Sequence, residues 1–480
     1  MQLFDDDQTN QKFGRMQWRM LFATMVGYTL FYFMRKNFSF AMPGLQQDCG
    51  ITKSMLGNFL FWGGIVYGVS KFVNGIVGDK CRPKLMLCFG LGACTLVNLA
   101  FGFGPQIASW FGGATGADGV SADVTALAWV FGVLLVLNQF FQGTGFPPCA
   151  KLIAHWIPPN ELATKMSVWN TSHSIGGGLV AKVCGVIMGL GVLGAANQGV
   201  GMWKWCFWAM AALGALGLLL MLVFLPGTPA EEGLPDLPGT GSKSQVPSSK
   251  FQAPGSKSQV EGSREKTSEP HSFASDNRTM LQSVFLNPVI WMLGLCNFMI
   301  NAARALVADW GPTMLQEAKG LTSSEAGTVI MWFEFAGIAG MLFSGWATDR
   351  LFGGRAPRLC VFLMALTGGL IAAFWFLPVG GATGMLGSAA LCLAGFCLYG
   401  PQALTGVTAT NTSTKAYAGT SIGFISLFSY IGVSVSGKVC GSLAQQGWQT
   451  PVLVITGVAA VGSFLFLLLW NVRANSYESH

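Results

Sequence analysis

GIVGDK at 75–80 recurs as GWATDR at 345–350, 270 positions later. Each copy reads Gly, three residues, Asp, then a base, and each follows the second long apolar run of a series. The match does not stand alone. Arg35 and Arg304 lie 269 positions apart, while SIG (174–176) pairs with YIG (430–432) and KVCG (182–185) with KVCG (438–441), both at 256. The pairs keep their order along the chain. The drop in offset fits a longer connection in the first copy, and 106–124 is indeed long and rich in Gly and Ala.

Around these markers lie apolar runs near 19–41, 56–77, 85–105, 125–148, 164–190 and 203–225, then 286–309, 324–347, 358–378, 384–408, 418–443 and 451–472. A bilayer is crossed by about 20 apolar residues in helical form. Composition agrees: 51% of residues are hydrophobic and 10% charged, against about 25% charged in soluble domains. The expected fold is therefore an all-α membrane protein of twelve transmembrane helices in two pseudo-symmetric six-helix bundles. Such a duplication places substrate near the midplane, between the halves.

The division expected is a cytoplasmic segment 1–18, a bundle 19–226, a disordered cytoplasmic linker 227–285, a second bundle 286–472 and a tail 473–480. The linker is rich in Gly, Pro, Ser and Lys and repeats GSKSQV at 241–246 and 255–260. Such a composition buries no core. Residues 1–17 are polar, no cleavable signal peptide is expected, and the first span serves as the insertion signal. With the N-terminus cytoplasmic, one side collects Lys12, Arg15, Arg19, Lys80, Arg82, Lys84, Lys151, Lys165, Arg350, Arg355, Arg358, Lys415 and Arg473. The opposite loops hold Lys53 and Lys319, with Lys204 at a helix edge. This asymmetry puts both termini in the cytoplasm.

The 12 cysteines show no metal-like spacing and read as small hydrophobes. No nucleophile–base pair stands out, and G-x-x-x-x-G-K-[ST] is missing. Neither enzyme chemistry, a cofactor, a metal nor a nucleic-acid partner is expected, and the chain is expected to act as a monomer.

Charge inside a membrane helix costs several kcal/mol unless paired or wetted. Here it is confined to Arg35, Lys36, Lys71, Lys182, Arg304, Asp309, Glu334 and Lys438, with His173 titratable beside them. Arg35 follows Arg19 by 16 residues and Arg304 follows Pro288 by 16, so each lies about 24 Å along its helix. Two arginines at matched depth repel each other unless an anion sits between them. Guanidinium is planar, permanently charged and donates two parallel bonds, which suits phosphate. The other reading pairs each arginine with a carboxylate, but only Asp309 and Glu334 are available.

His173, in SVWNTSHSIGGG, either donates to phosphate or is a satisfied core histidine. Lys71 and Tyr67 are one turn apart and either face the cavity or let the lysine snorkel. Tyr28, Tyr32, Tyr399 and Tyr430 fall on pore-forming spans, where each either binds substrate oxygens or packs as an aromatic. Lys36, Asp309 and Glu334 offer an ion-pair set linking three spans. Lys182 and Lys438 lie toward outer ends, as an anion-attracting vestibule or as snorkelling side chains.

RKNFSFAMP (35–43), VYGVSKF (66–72), FQGTGFPPCAK (141–151), SVWNTSHSIGGG (167–178), ADWGPTML (308–315), FEFAGIAG (333–340), LYGPQ (398–402) and LFSYIG (427–432) run through both halves. With the Gly-x-x-x-Asp-base loops, they resemble the organophosphate:phosphate antiporter family of the major facilitator superfamily. That family includes glycerol-3-phosphate, hexose-phosphate and glucose-6-phosphate transporters. The resemblance implies that Arg35 and Arg304 bind phosphate and that His173 and Lys71 line the same cavity. It implies substrate contacts from Tyr28, Tyr32, Tyr67, Tyr399 and Tyr430, and a gating network of Lys36, Asp309 and Glu334. Asp79, Lys80, Asp349 and Arg350 match the superfamily's conformational loops. Alternating access would exchange an organic phosphate for inorganic phosphate, here across a bacterial inner membrane. A sugar-phosphate sensor signalling to a kinase is the alternative with the same fold. Departures are Ile422 and Ile425, where the hexose-phosphate transporter carries Asp and Lys, and Lys182 and Lys438, which lie outside the family pattern.

Overall fold

A computed structural model describes residues 7–111, 123–193, 201–235, 237, 281–412 and 418–472. Most of the expected linker, the first six residues and the tail lie outside that set, as do the side chains of Asp79 and Lys80.

The described residues form helices and no strand. In chain order they are α1 (Asp7–Cys49), α2 (Lys53–Lys80), α3 (Pro83–Gly102), α4 (Gly104–Ser109), α5 (Val124–Gln142), α6 (Phe146–Trp156), α7 (Pro159–Leu193) and α8 (Met202–Phe224). Then come α9 (Pro288–Asp309), α10 (Gly311–Lys319), α11 (Ser323–Leu351), α12 (Ala356–Phe376), α13 (Gly381–Thr412), α14 (Ala418–Leu443) and α15 (Gln449–Leu468). Ten segments are long and apolar enough to cross a membrane, α5 and α6 counting as one. α1 and α2 fall outside those ten, and they are the helices that carry Arg35, Lys36 and Lys71 in mid-length.

Local chemistry sets the boundaries. Thr52 caps α2 by accepting from the Met55 N–H, and Thr322 and Glu325 form a reciprocal capping box at α11. Asn287 accepts from the Val289 N–H where Pro288 opens α9. The first span was expected at 19–41, but α1 runs on at both ends because its flanks are tied down. Gln17 donates to the Trp156 carbonyl at 2.6 Å, and Arg19 donates to the Phe224 and Val223 carbonyls at the end of α8. The span expected at 125–148 is broken at Gly143–Gly145, where Pro147 and Pro148 supply no N–H and a new helix starts.

In the first half α1 packs on α7 and α8, α3 on α8, and α2 on α5. In the second half α9 packs on α14, α11 and α12 on α13, and α12 on α15. The halves meet along two seams, α2 with α14 and α7 with α11. The repeated KVCG explains both. A Cβ on Gly185 would stand 2.7 Å from the Ser323 carbonyl and 3.1 Å from Gly327 Cα. A Cβ on Gly441 would stand 2.6 Å from the Lys53 carbonyl and 3.0 Å from Gly57 Cα. Only glycine lets the backbones approach this closely. At the other end of these helices a Cβ on Gly75, Gly345 or Gly423 would meet nothing within 4 Å. The molecule is thus closed at the end bearing Gly50 and Gly320 and open at the end bearing Lys80 and Phe352.

Replacing Gly185 or Gly441 with leucine should pry the closed end apart. Spin labels on the two halves at that end should move several ångströms further apart. An unchanged distance would show that the contact does not hold that end shut.

Candidate functional site

A cavity of about 290 Å³ lies between the halves and reaches toward the open end. Its wall brings together Tyr28, Tyr32, Arg35 and Lys36 from α1, Tyr67 and Lys71 from α2, and His173 from α7. Arg304 and Asp309 come from α9 and Tyr430 from α14.

The two arginines sit in unequal surroundings. Arg35 Cζ lies 4.0 Å from the Tyr67 ring centroid and 5.6 Å from that of Tyr32. No carboxylate pairs with it among the described residues. The rings hold the guanidinium plane by cation–π attraction and leave its donors free. Arg304 is partly engaged. Its Nη2 lies 3.1 Å from Glu334 Oε1, and its Nε donates to Tyr399 Oη at 2.8 Å. Its Nη1 has no protein partner among the described residues.

Glu334 belongs to Arg304 and Tyr399, not to Lys36. The Tyr399 hydroxyl donates to Glu334 Oε2, and Glu334 is 2% exposed, so the pair is locked behind the arginine. Tyr399 is fully buried and outside the cavity wall in this state, where its hydroxyl bonds Arg304 and Glu334. Lys36 pairs with Asp309, its only carboxylate partner among the described residues, at 2.5 Å, joining α1 to α9. Lys71 faces the cavity: its Nζ donates to Tyr430 Oη at 2.8 Å and lies 4.5 Å from the Phe146 ring centroid. His173 sits between Tyr32 and Tyr399, with Nδ1 at the Asn170 carbonyl and Nε2 3.2 Å from Ser174 Oγ. Tyr28 lines the wall while its ring packs on Trp169. Tyr67 and Tyr430 meet edge to face across the α2–α14 seam. Asp349 and Arg350 lie exposed in the last turn of α11, away from the cavity.

The charged groups of the site are Arg35, Lys36, Lys71 and Arg304 against Asp309 and Glu334, four cations to two carboxylates. An excess of two positive charges in a low-dielectric chamber attracts a dianion.

Several polar groups of the wall were missed by sequence reading. Asn297 and Asn301 lie one turn apart on the α9 face that carries Arg304, a spacing that was visible. Asn297 Nδ2 donates to the Ile425 carbonyl and to Ser429 Oγ, and Asn301 Nδ2 donates to Asn297. Gln139 and Gln402 also line the cavity, and each has a buried amide oxygen with no partner among the described residues. Both oxygens are closed off from solvent in this state, so a side-chain rotation would be needed to turn them to the cavity.

Replacing Glu334 with glutamine should tighten phosphate binding. The carboxylate competes with a ligand for Arg304, and a hydrogen bond to a charged group is worth about 1.5–3 kcal/mol. About tenfold lower Kd is expected by calorimetry in detergent. Weaker binding would mean that Glu334 serves to hold Arg304 in place, not to compete for it.

Residues 24–437 match the Major Facilitator Superfamily, and the chain belongs to that superfamily. It is an integral multi-pass membrane protein of a family of transporters, not of enzymes. Among its relatives is the glycerol-3-phosphate transporter of Bacillus subtilis, 30% identical over 97% of this chain and 95% of the relative. A probable hexose phosphate transport protein of Chlamydia pneumoniae is 30% identical, with 99% and 96% covered. The membrane sensor protein UhpC of Salmonella typhimurium is 31% identical, with 96% and 94% covered. Among solved structures a D-xylose-proton symporter has the same fold, with a TM-score of 0.67 at 13% identity over 95% of this chain and 98% of that one.

Proposed function

We propose that the chain exchanges an organic phosphate, a sugar phosphate such as glucose 6-phosphate or glycerol 3-phosphate, for inorganic phosphate. The observation that carries this reading is Arg35, held by two rings at the cavity wall with no carboxylate partner among the described residues. Arg304 lines the same cavity and keeps one terminal nitrogen without a partner among the described residues. A phosphoryl group between them balances the two excess charges, and any phosphate monoester or inorganic phosphate offers the same head. Ligand hydroxyls find polar side chains in Gln139 and Gln402, which line the cavity. Relatives named for glycerol-3-phosphate and hexose phosphate transport support the same substrate class.

The carrier works by alternating access, its halves rocking about the filled site. Twelve spans with both termini cytoplasmic complete the proposal, in a bacterial inner membrane and as a monomer. In that orientation the closed end is the outer one. Lys36–Asp309 then joins the halves while the cavity faces the cytoplasm.

Purified protein in liposomes should exchange labelled external phosphate for unlabelled internal phosphate, and sugar phosphates or glycerol 3-phosphate should compete. The relative named as a membrane sensor motivates one other reading, a receptor for the same ligand. Binding without exchange would select the receptor. Absence of both would reject the phosphate site.

A further inference from the structure

The closed end carries two lysines that the transport site does not use. They occupy the same place in the two copies of KVCG, Lys182 on α7 and Lys438 on α14. Each reaches across a seam into the opposite half. Lys182 Nζ donates to Thr328 Oγ1 on α11 at 2.8 Å. Lys438 Nζ lies 5.3 Å from the Phe61 ring centroid on α2.

Neither lysine pairs with a carboxylate among the described residues. The described acidic groups at this end are committed elsewhere. Asp48 accepts from the Gly201 N–H at 2.6 Å, and Asp123 caps α5 through the Thr125 N–H. Glu325 closes the capping box with Thr322. Glu317 pairs with Lys53 and accepts from Trp448 Nε1. Two charges are thus left with a neutral hydroxyl and an aromatic face as partners.

Lys438 is exposed; its backbone lies against Gly57 and its ammonium is at Phe61, one turn further from the closed end on the same helix.

Alternating access requires these seams to part. When α7 leaves α11, Lys182 must release Thr328, and when α14 leaves α2, Lys438 must release Phe61. Lys182, half-buried here, then faces water in the new opening, and Lys438, already exposed, stands at the position on the other half that the internal repeat relates to it. A pair of uncompensated cations flanking a narrow entrance concentrates anions and raises their rate of entry.

We propose that Lys182 and Lys438 form a symmetry-related phosphoryl-binding entrance on the face that is closed in this structure, the first contact for a phosphate ester or inorganic phosphate entering from that side. This rests on the phosphate-exchange reading of the central cavity. It adds a second site, used in one direction only.

The test is sided. Wild type, K182Q, K438Q, the double glutamine variant and the matching arginine variants are reconstituted, and phosphate exchange is measured separately from each face. The double glutamine variant should raise KM at the normally closed face about fivefold, with the salt dependence of entry reduced. KM at the open face should be unchanged, and K182R and K438R should keep wild-type values at both faces. Equal changes at both faces, or none at either, would overturn the entrance. If the glutamine proteins fail to assemble, K182M and K438M, each with the other lysine intact, give the same comparison. Loss of exchange in wild type itself would remove the central-site reading, and this one with it.

Discussion

Replacing Arg35 with lysine should lower phosphate exchange about a hundredfold while leaving the protein as stable as before. The charge is kept, so a site that needed only a positive field would survive. The structure gives the guanidinium a task that an ammonium cannot perform. Its Cζ lies 4.0 Å from the Tyr67 ring centroid and 5.6 Å from that of Tyr32, at the cavity wall. From there it can offer two parallel donors to one phosphoryl group, whereas lysine offers a compact point charge on a flexible stem. Loss of the bidentate pair removes about two charge-assisted hydrogen bonds, each worth about 1.5 kcal/mol or more, and 1.4 kcal/mol is tenfold in affinity. Because no carboxylate pairs with Arg35 among the described residues, the substitution orphans no buried anion, and thermal unfolding should not change. Labelled-phosphate exchange together with melting in detergent checks both halves of this expectation. Near-normal exchange would dismiss the two-arginine site.

Truncating Asp309 should destabilise the protein. This residue is the sole carboxylate partner of Lys36 among the described residues, and the side chains are 9% and 15% exposed. Arg35 and Arg304 line the same chamber, so Asp309→Ala would leave a lysine unpaired among like charges. Breaking one partner of a buried pair costs about 3–5 kcal/mol. The lower figure is expected, because the cavity admits water. Removing both charges at once, as Lys36→Met with Asp309→Leu, should recover most of that stability. The double variant should nonetheless transport poorly if, as proposed, the halves rock and this link between α1 and α9 forms and breaks with each cycle. The readouts are thermal unfolding and exchange for both single variants and the double. A single variant as stable as wild type would mean that the pair forms only transiently.

The arrangement of α2 and α14 shows how far the sequence reaches. Gly57 and Gly327 are 270 apart, and Gly185 and Gly441 are 256 apart, the two offsets of the internal repeat. They meet crosswise, Gly57 against Gly441 and Gly185 against Gly327. Each copy of KVCG therefore packs on the first turns of the second long helix of the other half. The markers that revealed duplication also held the seams, but offsets within a chain carry no information on which copies touch. Likewise Arg35, Arg304, Lys71 and His173 were legible as charged or titratable groups in apolar helices, where water and pairing are scarce. The partners of Glu334 were not legible. Lys36, Arg304 and Tyr399 are all compatible with one carboxylate until distances decide among them.

Twelve apolar runs, a duplicated loop motif and a handful of buried charges were present in the order of residues alone. They determined a helical membrane protein with a repeated sequence pattern and an arginine in the corresponding helix of each repeat, because hydrophobicity, helical rise and repetition are local or additive properties of a chain. Packing decided the rest: Arg35 open to the cavity and Arg304 half engaged, Tyr399 behind the wall, Lys182 and Lys438 across the seams, and one end shut. Those outcomes depend on contacts between residues hundreds of positions apart, where an ångström of approach or one competing carboxylate changes which charge is free.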